Sequence, residues 1–460
     1  MKKIFQYILM AVAVVATASC SNELDEALQP VENGTLQFVV GDFPAFGEDP
    51  QTRASSFGTP DEGKTAWANE DKILVHLYSQ KYGDQAVTLT FDAENNTWES
   101  DGGTLSYLEN ETPTITAVYA PDCEIKSDKS IGLLEGKKYG EAEYIPAKTT
   151  ISENTLDIRF DSGRTYSRLR IAGLANQTLT VTTTDFTPAG ATSVATEPYT
   201  LTADDKGNAY LYGIFAEGAT VNVKKGDVTL KDYTFTAEKN PNGTEHNKSY
   251  ALDARPVIDG TLGGKAEATD AEVEALVQQL KDYADSGITT IIVTGAEPAL
   301  IDVSGIIMPA VSEAIYRLTD SGYYDENHPY NGKIDLILQD VTEIMEWEFY
   351  TGFALNSITL PKVTTVDNAA FTGCNYLKKI TFGSVVNFIN QDNTVVFYQL
   401  GSNVGGCDLV LNCGQLQTED TYKPDLENNV WFKPSWGGDV TWKSITLTHT
   451  GECDECKALQ

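Results

Sequence analysis

Positive charge is scarce in this chain. Lysine and arginine total 33 against 66 aspartates and glutamates over 460 residues, a formal net charge of −33. Neutralising phosphates takes clustered basic side chains, and no basic run occurs, so nucleic acid and anionic lipid surfaces are not expected partners. Histidine is rarer still: His76, His246, His328 and His449 are scattered without metal-ligand spacing. A Gly-x-Ser-x-Gly elbow, a phosphate-binding glycine loop and a His-Glu-x-x-His helix are all missing. Carboxylates abound, but a catalytic pair needs proximity rather than spacing, and nothing selects one. The chain is therefore read as a non-enzyme without metal or cofactor.

Cysteine is also sparse, with seven in the whole chain, too few for a disulfide framework at this length. Cys453 and Cys456 form a Cys-x-x-Cys near the C-terminal end, with neither a second close pair for zinc nor a following helix for redox work. A disulfide and two free thiols both suit it. Cys407 and Cys413 flank an apparent strand, which would hold them about 20 Å apart, too far to bridge. Cys123 has no evident partner.

Only one long apolar run exists, and it lies at the start. Met1-Lys2-Lys3 precedes Ile4 to Ala16, and Thr17-Ala18-Ser19-Cys20 closes the segment. This order reads as a secretory signal peptide over 1–19, too short and wrongly flanked to span a bilayer. The ending resembles a bacterial lipobox, which implies lipid attachment at Cys20 and membrane anchoring through its acyl chains. Thr17 stands where the usual leucine would be. The acidic Ser21-Asn22-Glu23-Leu24-Asp25-Glu26 that follows is similar to the surface-export signal of Bacteroidales-type lipoproteins. It implies the outer face of the outer membrane, with 20–35 as a tether.

From 36 to 252 short β-type runs alternate with Gly, Asn, Asp and Pro. Examples are Thr35 to Val40, Lys72 to Tyr78, Val87 to Phe91, Thr114 to Tyr119, Ser167 to Ile171 and Thr220 to Val223. Their spacing argues for antiparallel β-sandwiches, and the length fits two, over 36–150 and 151–252. Thr52-Arg53-Ala54, the stretch Trp67 to Val75, Asn96-Thr97-Trp98, Ala117 to Pro121, Leu156 to Leu174 and Asn247 to Leu252 together resemble the fimbrillin, or Mfa-like, family. That resemblance implies two transthyretin-like β-sandwiches in a fimbrial subunit or surface adhesin. It also implies proteolysis after Arg53, leaving Ala54 as the new terminus and a groove for a strand from another fimbrial subunit. Residues 253–460 still follow the closing strand, which fits a tip, accessory or stand-alone role better than a repeating shaft.

Asp253 to Lys265, rich in Gly and Pro, reads as a linker. Thr269 and Glu272 make a capping box, apolar positions 273, 276, 277, 280 and 284 share one helical face, and Gly287 ends the helix. A 22-residue step then relates Leu336, Ile358 and Ile380; Leu338, Leu360 and Phe382; Val341, Val363 and Val385; Ile344 and Val366; Phe349 and Phe371; and Leu355 and Leu377. A fixed period of this size is the mark of a leucine-rich-repeat solenoid, placed at 266–450 with 451–460 as a tail. Ala370-Phe371, Cys374, Leu377 and Ile380 closely resemble the BspA-type repeat, which implies a parallel-strand surface for recognising host protein or glycan. Further strands are expected at Thr290 to Thr294, Asp408 to Leu411 and Ser444 to Leu447. Tyr323, Tyr324, Tyr330, Tyr350, Trp347 and Trp431 form either an aromatic sugar platform or ordinary packing.

The expected protein is thus mainly β, a lipid-anchored surface adhesin or fimbrial accessory subunit. Glycan capture for nutrient uptake is the alternative. N-terminal analysis of protein recovered from cells should find Cys20 blocked and labelled by fed palmitate. An unlabelled wild-type chain would remove the anchor, and a free Ala54 would replace it with processing after Arg53.

Overall fold

Alternating apolar residues, not long apolar blocks, set the architecture, so strands dominate and only two helices occur among the described residues. The computed structural model describes residues 36–44, 46, 63–108, 111–160, 164–238, 240–265, 267–295, 299–301, 307–319, 325–384, 386–389, 396–412 and 442–448. Cys20, Arg53, Ala54, Tyr323, Tyr324, Val385, Cys413, Trp431, His449, Cys453 and Cys456 lie outside the described residues.

The first unit holds a five-stranded antiparallel sheet in the order Thr97–Ser100, Gly83–Asp92, Lys72–Ser79, Thr114–Tyr119, Ile145–Pro146. A second sheet of Gln37–Val40, Thr155–Arg159 and Lys148–Ser152 shares its core, where Ile73, Val75, Leu77, Val87, Leu156 and Ile158 are fully buried. The sequence-based division at 150/151 falls inside the Lys148–Ser152/Thr155–Arg159 hairpin, and the side chains of that hairpin pack into the first core.

The second unit has two four-stranded sheets. One runs Phe186–Pro188, Ala209–Phe215, Ser167–Ala172, Ser249–Asp253, and the other Tyr199–Thr202, Thr178–Thr183, Thr220–Lys225, Val228–Thr234. Phe186, Phe215 and Phe235 stack between them at centroid distances of 4.3 and 4.8 Å. The antiparallel expectation needs two corrections. Gln37–Val40 pairs parallel with Thr155–Arg159, and Ser167–Ala172 pairs parallel with Ser249–Asp253. Parallel neighbours need a long crossover, and in each case most of the unit supplies it.

The expected linker over 253–265 is also corrected. Val257–Asp259 is the first strand of a seven-stranded parallel sheet, with Ile258 buried against the core. Asp259 accepts hydrogen bonds from the backbone N–H groups of Thr261 and Gly263, so the glycines form a tight turn instead of a free tether. The sheet continues through Thr290–Thr294, Ile334–Leu338, Leu355–Leu360, Lys379–Phe382, Cys407–Asn412 and Trp442–Thr448. Its register joins residues one period apart: Leu336 with Ile358, Ile358 with Ile380, and Leu360 with Phe382. A second parallel ladder joins Ile344 to Val366 and Val366 to Phe388 at another edge of the same stack.

Between these ladders Phe349 stacks on Phe371 at 5.6 Å with rings 3° from parallel, and Phe371 on Phe397 at 6.0 Å. Stacking also constrains the backbone: a Cβ on Gly383 would sit 2.6 Å from the Pro361 carbonyl oxygen of the preceding unit.

Helix α1 (Asp270–Asp285) begins at Thr269, whose backbone N–H donates to Glu272 at 2.9 Å, and Val273, Leu276, Val277 and Leu280 are buried. Gly287, at φ 72°, follows its C-cap. Helix α2 (Ala310–Arg317) was not expected. Its eight residues are too short to display a period, and Arg317 ties it to α1 through Asp270 and Glu274 at 2.9 and 3.0 Å.

Phe371→Ala should lower unfolding free energy by about 3–5 kcal/mol in denaturant titration, because stacked neighbours on both sides prevent collapse of the cavity. The Lys265 ammonium, followed by the Thr269 backbone N–H, holds the Glu272 carboxyl down to about 2 from an ordinary 4.5. Its support for α1 is therefore complete above pH 4.5 and is lost as pH falls towards 2. Thermal melts across that window should show a steeper loss for wild type than for Glu272→Gln.

Candidate functional site

Strand geometry sends alternate side chains of the long parallel sheet to opposite faces. Leu336, Leu338, Ile358, Leu360, Ile380 and Phe382 point inward and are fully buried. The intervening residues form two outward rows. One reads Thr290, Asp335, Ser357, Lys379, Asp408, Ser444, and its neighbour reads Ile292, Ile337, Thr359, Thr381, Val410, Thr446. All six residues of the second row are β-branched, giving a flat surface of low conformational entropy in which Ile292 and Val410 are buried.

Charge along the first row is mostly satisfied internally. Asp335 accepts from Asn356 and Ser357, both at 2.7 Å, and Asp408 accepts from Ser444 at 2.6 Å. Lys379 is exposed and has no ion-pair partner among the described residues. It stands beside Lys378 in a hollow of about 440 Å³ that also meets Asp335, Ser357, Thr359 and Asp408.

The repeat-core residues singled out from the sequence, Leu336, Leu338, Ile344, Phe349, Leu355, Ile358, Leu360, Val366, Phe371, Cys374, Leu377, Ile380 and Phe382, are all buried. They hold the stack together. Cys374 donates from Sγ to the Phe349 carbonyl at 3.0 Å, and burial pushes its thiol up to about 12, so it is no nucleophile at neutral pH. Sequence reasoning passed over the residues that face solvent. Part of their signal was present: each lies one position from an apolar residue, and Asp335, Ser357 and Lys379, like Ile337, Thr359 and Thr381, repeat at the 22-residue step.

Trp347 and Tyr350, 40% and 41% exposed, make an edge-to-face pair at 5.1 Å. Tyr330 instead donates to Asp285 at 3.2 Å. His76 bonds Asp84 at 2.9 Å. No group of three His, Cys, Asp or Glu is placed to hold a metal among the described residues. Cys123, Cys374 and Cys407 are unbridged and buried.

A second polar centre lies where the first two units meet. Arg164, with no side-chain exposure, donates to Oε2 of Glu143 through Nε at 3.0 Å and Nη2 at 2.7 Å, and through Nη1 to the Pro44 carbonyl. Its guanidinium lies 3.8 Å from the Phe46 ring centroid, and that of Arg168 lies 4.7 Å from the same centroid. Tyr166 also donates to Glu143 Oε2, at 3.3 Å. Burial raises the Glu143 carboxyl even though the Arg164 charge opposes it. Nearby, Lys64 pairs with Asp71 and donates to the Tyr119 hydroxyl oxygen at 2.9 Å.

No protein-family model and no curated protein matches the chain. A crystal structure of a candidate cell adhesion protein from Bacteroides fragilis is similar over 48% of this chain and 92% of that one, with 11% identity and a TM-score of 0.22. A likeness that low constrains neither fold nor function. The chain is thus characterised by its own geometry, a mainly β protein carrying an open, register-aligned face with one polar row and one β-branched row.

Proposed function

We propose that this protein is a lipid-anchored cell-surface adhesin or fimbrial accessory subunit of the outer membrane, attached through Cys20. In this reading the first two units are transthyretin-like β-sandwiches of fimbrillin type. The parallel stack is a BspA-type leucine-rich-repeat solenoid with α1 beside it. It presents its outward rows to a host protein or glycan. The observation that carries the reading is the pair of register-aligned rows from Thr290 to Thr446 on the face opposite the buried Leu336, Ile358 and Ile380 row. Between Asp335 and Thr381 its short, flat side chains suit recognition of an extended partner.

Cleavage after Arg53 would detach Gln37–Val40, Phe43 and Phe46. That would uncover the Thr155–Arg159 edge and the Arg164 guanidinium. A strand from another fimbrial subunit would then complete the sheet. The exposed Trp347–Tyr350 pair supports the second reading, capture of a polysaccharide for nutrient uptake.

Cells displaying the Lys379→Glu/Thr359→Arg variant should adhere about tenfold less well than wild type to mucin- or collagen-coated surfaces, with the melting temperature unchanged. Equal adherence would sink the outward face as the binding surface. Loss confined to Trp347→Ala and to polysaccharide would favour the uptake reading instead.

A further inference from the structure

Between the first two units lies a cleft of about 670 Å³, well within the range of small-molecule sites, and the proposed adhesive face does not use it. Its wall carries three cations and four carboxylates, and most of these are already engaged. Lys64 is held by Asp71, Lys137 by Asp122 at 3.3 Å, and Arg168 donates to Ser249 at 2.9 Å. Asp204 accepts from the backbone N–H groups of Lys206 and Asn208 at 3.0 and 2.8 Å. Both signs are therefore interspersed on the wall, with Glu141 and Glu143 opposite Lys64, Lys137 and Arg168, so an ion of either sign meets like charge there.

Two polar groups on the wall keep hydrogen-bonding capacity that no described residue fills. Glu143 has a side chain only 9% exposed, and every hydrogen bond it accepts from a described residue falls on Oε2. Its Oε1 is an acceptor without a donor. The Asn208 side-chain amide, which both donates and accepts, also has no partner among the described residues. Beside them Tyr210 and Tyr212 project from the same face of Ala209–Phe215, their rings 6.3 Å apart and 29° from parallel.

We infer that this cleft binds a neutral carbohydrate of about disaccharide size. Sugar hydroxyls supply the donor that Glu143 Oε1 lacks and both partners that the Asn208 amide lacks. The apolar C–H face of a pyranose covers the tyrosine rings, and an uncharged ligand leaves the local charge balance intact. An anion would face Glu143 and Glu141, and an ammonium group would face Lys64 and Arg168. Both are disfavoured by like charge.

Ligand-observed saturation-transfer NMR on the full chain tests this with lactose, maltose, cellobiose and diacetylchitobiose as probes and a sulfated disaccharide as control. At least one neutral probe should bind wild type. Affinity should fall about tenfold in Asn208→Ala, which leaves the buried ion pair untouched. Binding should vanish in Ala142→Trp, which fills the cleft from its wall, and should persist in Lys379→Glu, which alters only the repeat face. Binding of none of the neutral probes, binding of the sulfated control alone, or undiminished binding in Asn208→Ala would overturn the assignment. Should Ala142→Trp fail to fold by thermal melting, Asn208→Ala decides the matter.

Discussion

No single 22-residue unit of the C-terminal region can bury its own apolar side chains, and the rest of that region follows from this constraint. A unit offers two short strands, a tight corner and a few large apolar groups. Only when the next unit sits directly above it do Leu336, Ile358 and Ile380 close into a row. The same demand aligns Phe349, Phe371 and Phe397 as stacked rings, though the last step in sequence is longer than the first. Exact vertical stacking leaves no room for a side chain at Gly383 and makes the small Cys374 thiol a filler with a backbone acceptor. Registration of the buried rows also registers the exposed ones, so the polar face is a by-product of the core.

The junctions between units differ in chemistry. One continuous apolar cluster runs from Leu169 and Phe215 through Val273 and Leu280 to Leu336 and Phe382, so the second unit and the repeat stack share a core. The first unit keeps a separate cluster, which Ala189, Tyr212 and Ile214 of the second also join, and charge and aromatic rings at Glu143, Arg164, Arg168, Phe43 and Phe46 add to that contact. A buried ion pair adds little net stability against an apolar replacement, but losing one partner costs about 3–5 kcal/mol. Such a junction favours one arrangement strongly while leaving polar groups beside it available to a cleft.

Much of this was legible in the sequence, and the gaps have physical causes. The 22-residue step could be read because stacking forces like residues onto like positions, and α1 could be read from Thr269, Glu272 and its apolar stripe. Most strands of the first two units were visible as alternating runs. The parallel edge pairings were not, because Gln37–Val40 and Thr155–Arg159 are joined by tertiary packing across more than a hundred residues. Helix α2 is too short to carry a period, and Val257–Asp259 was hidden by the glycines and proline around it. The cleft was invisible for a different reason. Lys64, Glu143, Asn208 and Tyr212 share no local pattern and meet only once both units are folded.

The two parallel edge pairings have a mechanical meaning. In the first unit the chain enters through Gln37–Val40 and leaves past Thr155–Arg159, and in the second it enters through Ser167–Ala172 and leaves through Ser249–Asp253. Tension along the chain therefore pulls each pair from opposite ends, and the bridging hydrogen bonds are loaded together in shear. Unzipping them one at a time would take a far smaller force. Both units are wired in series as clamps, so a stretched molecule resists extension before either β-core opens.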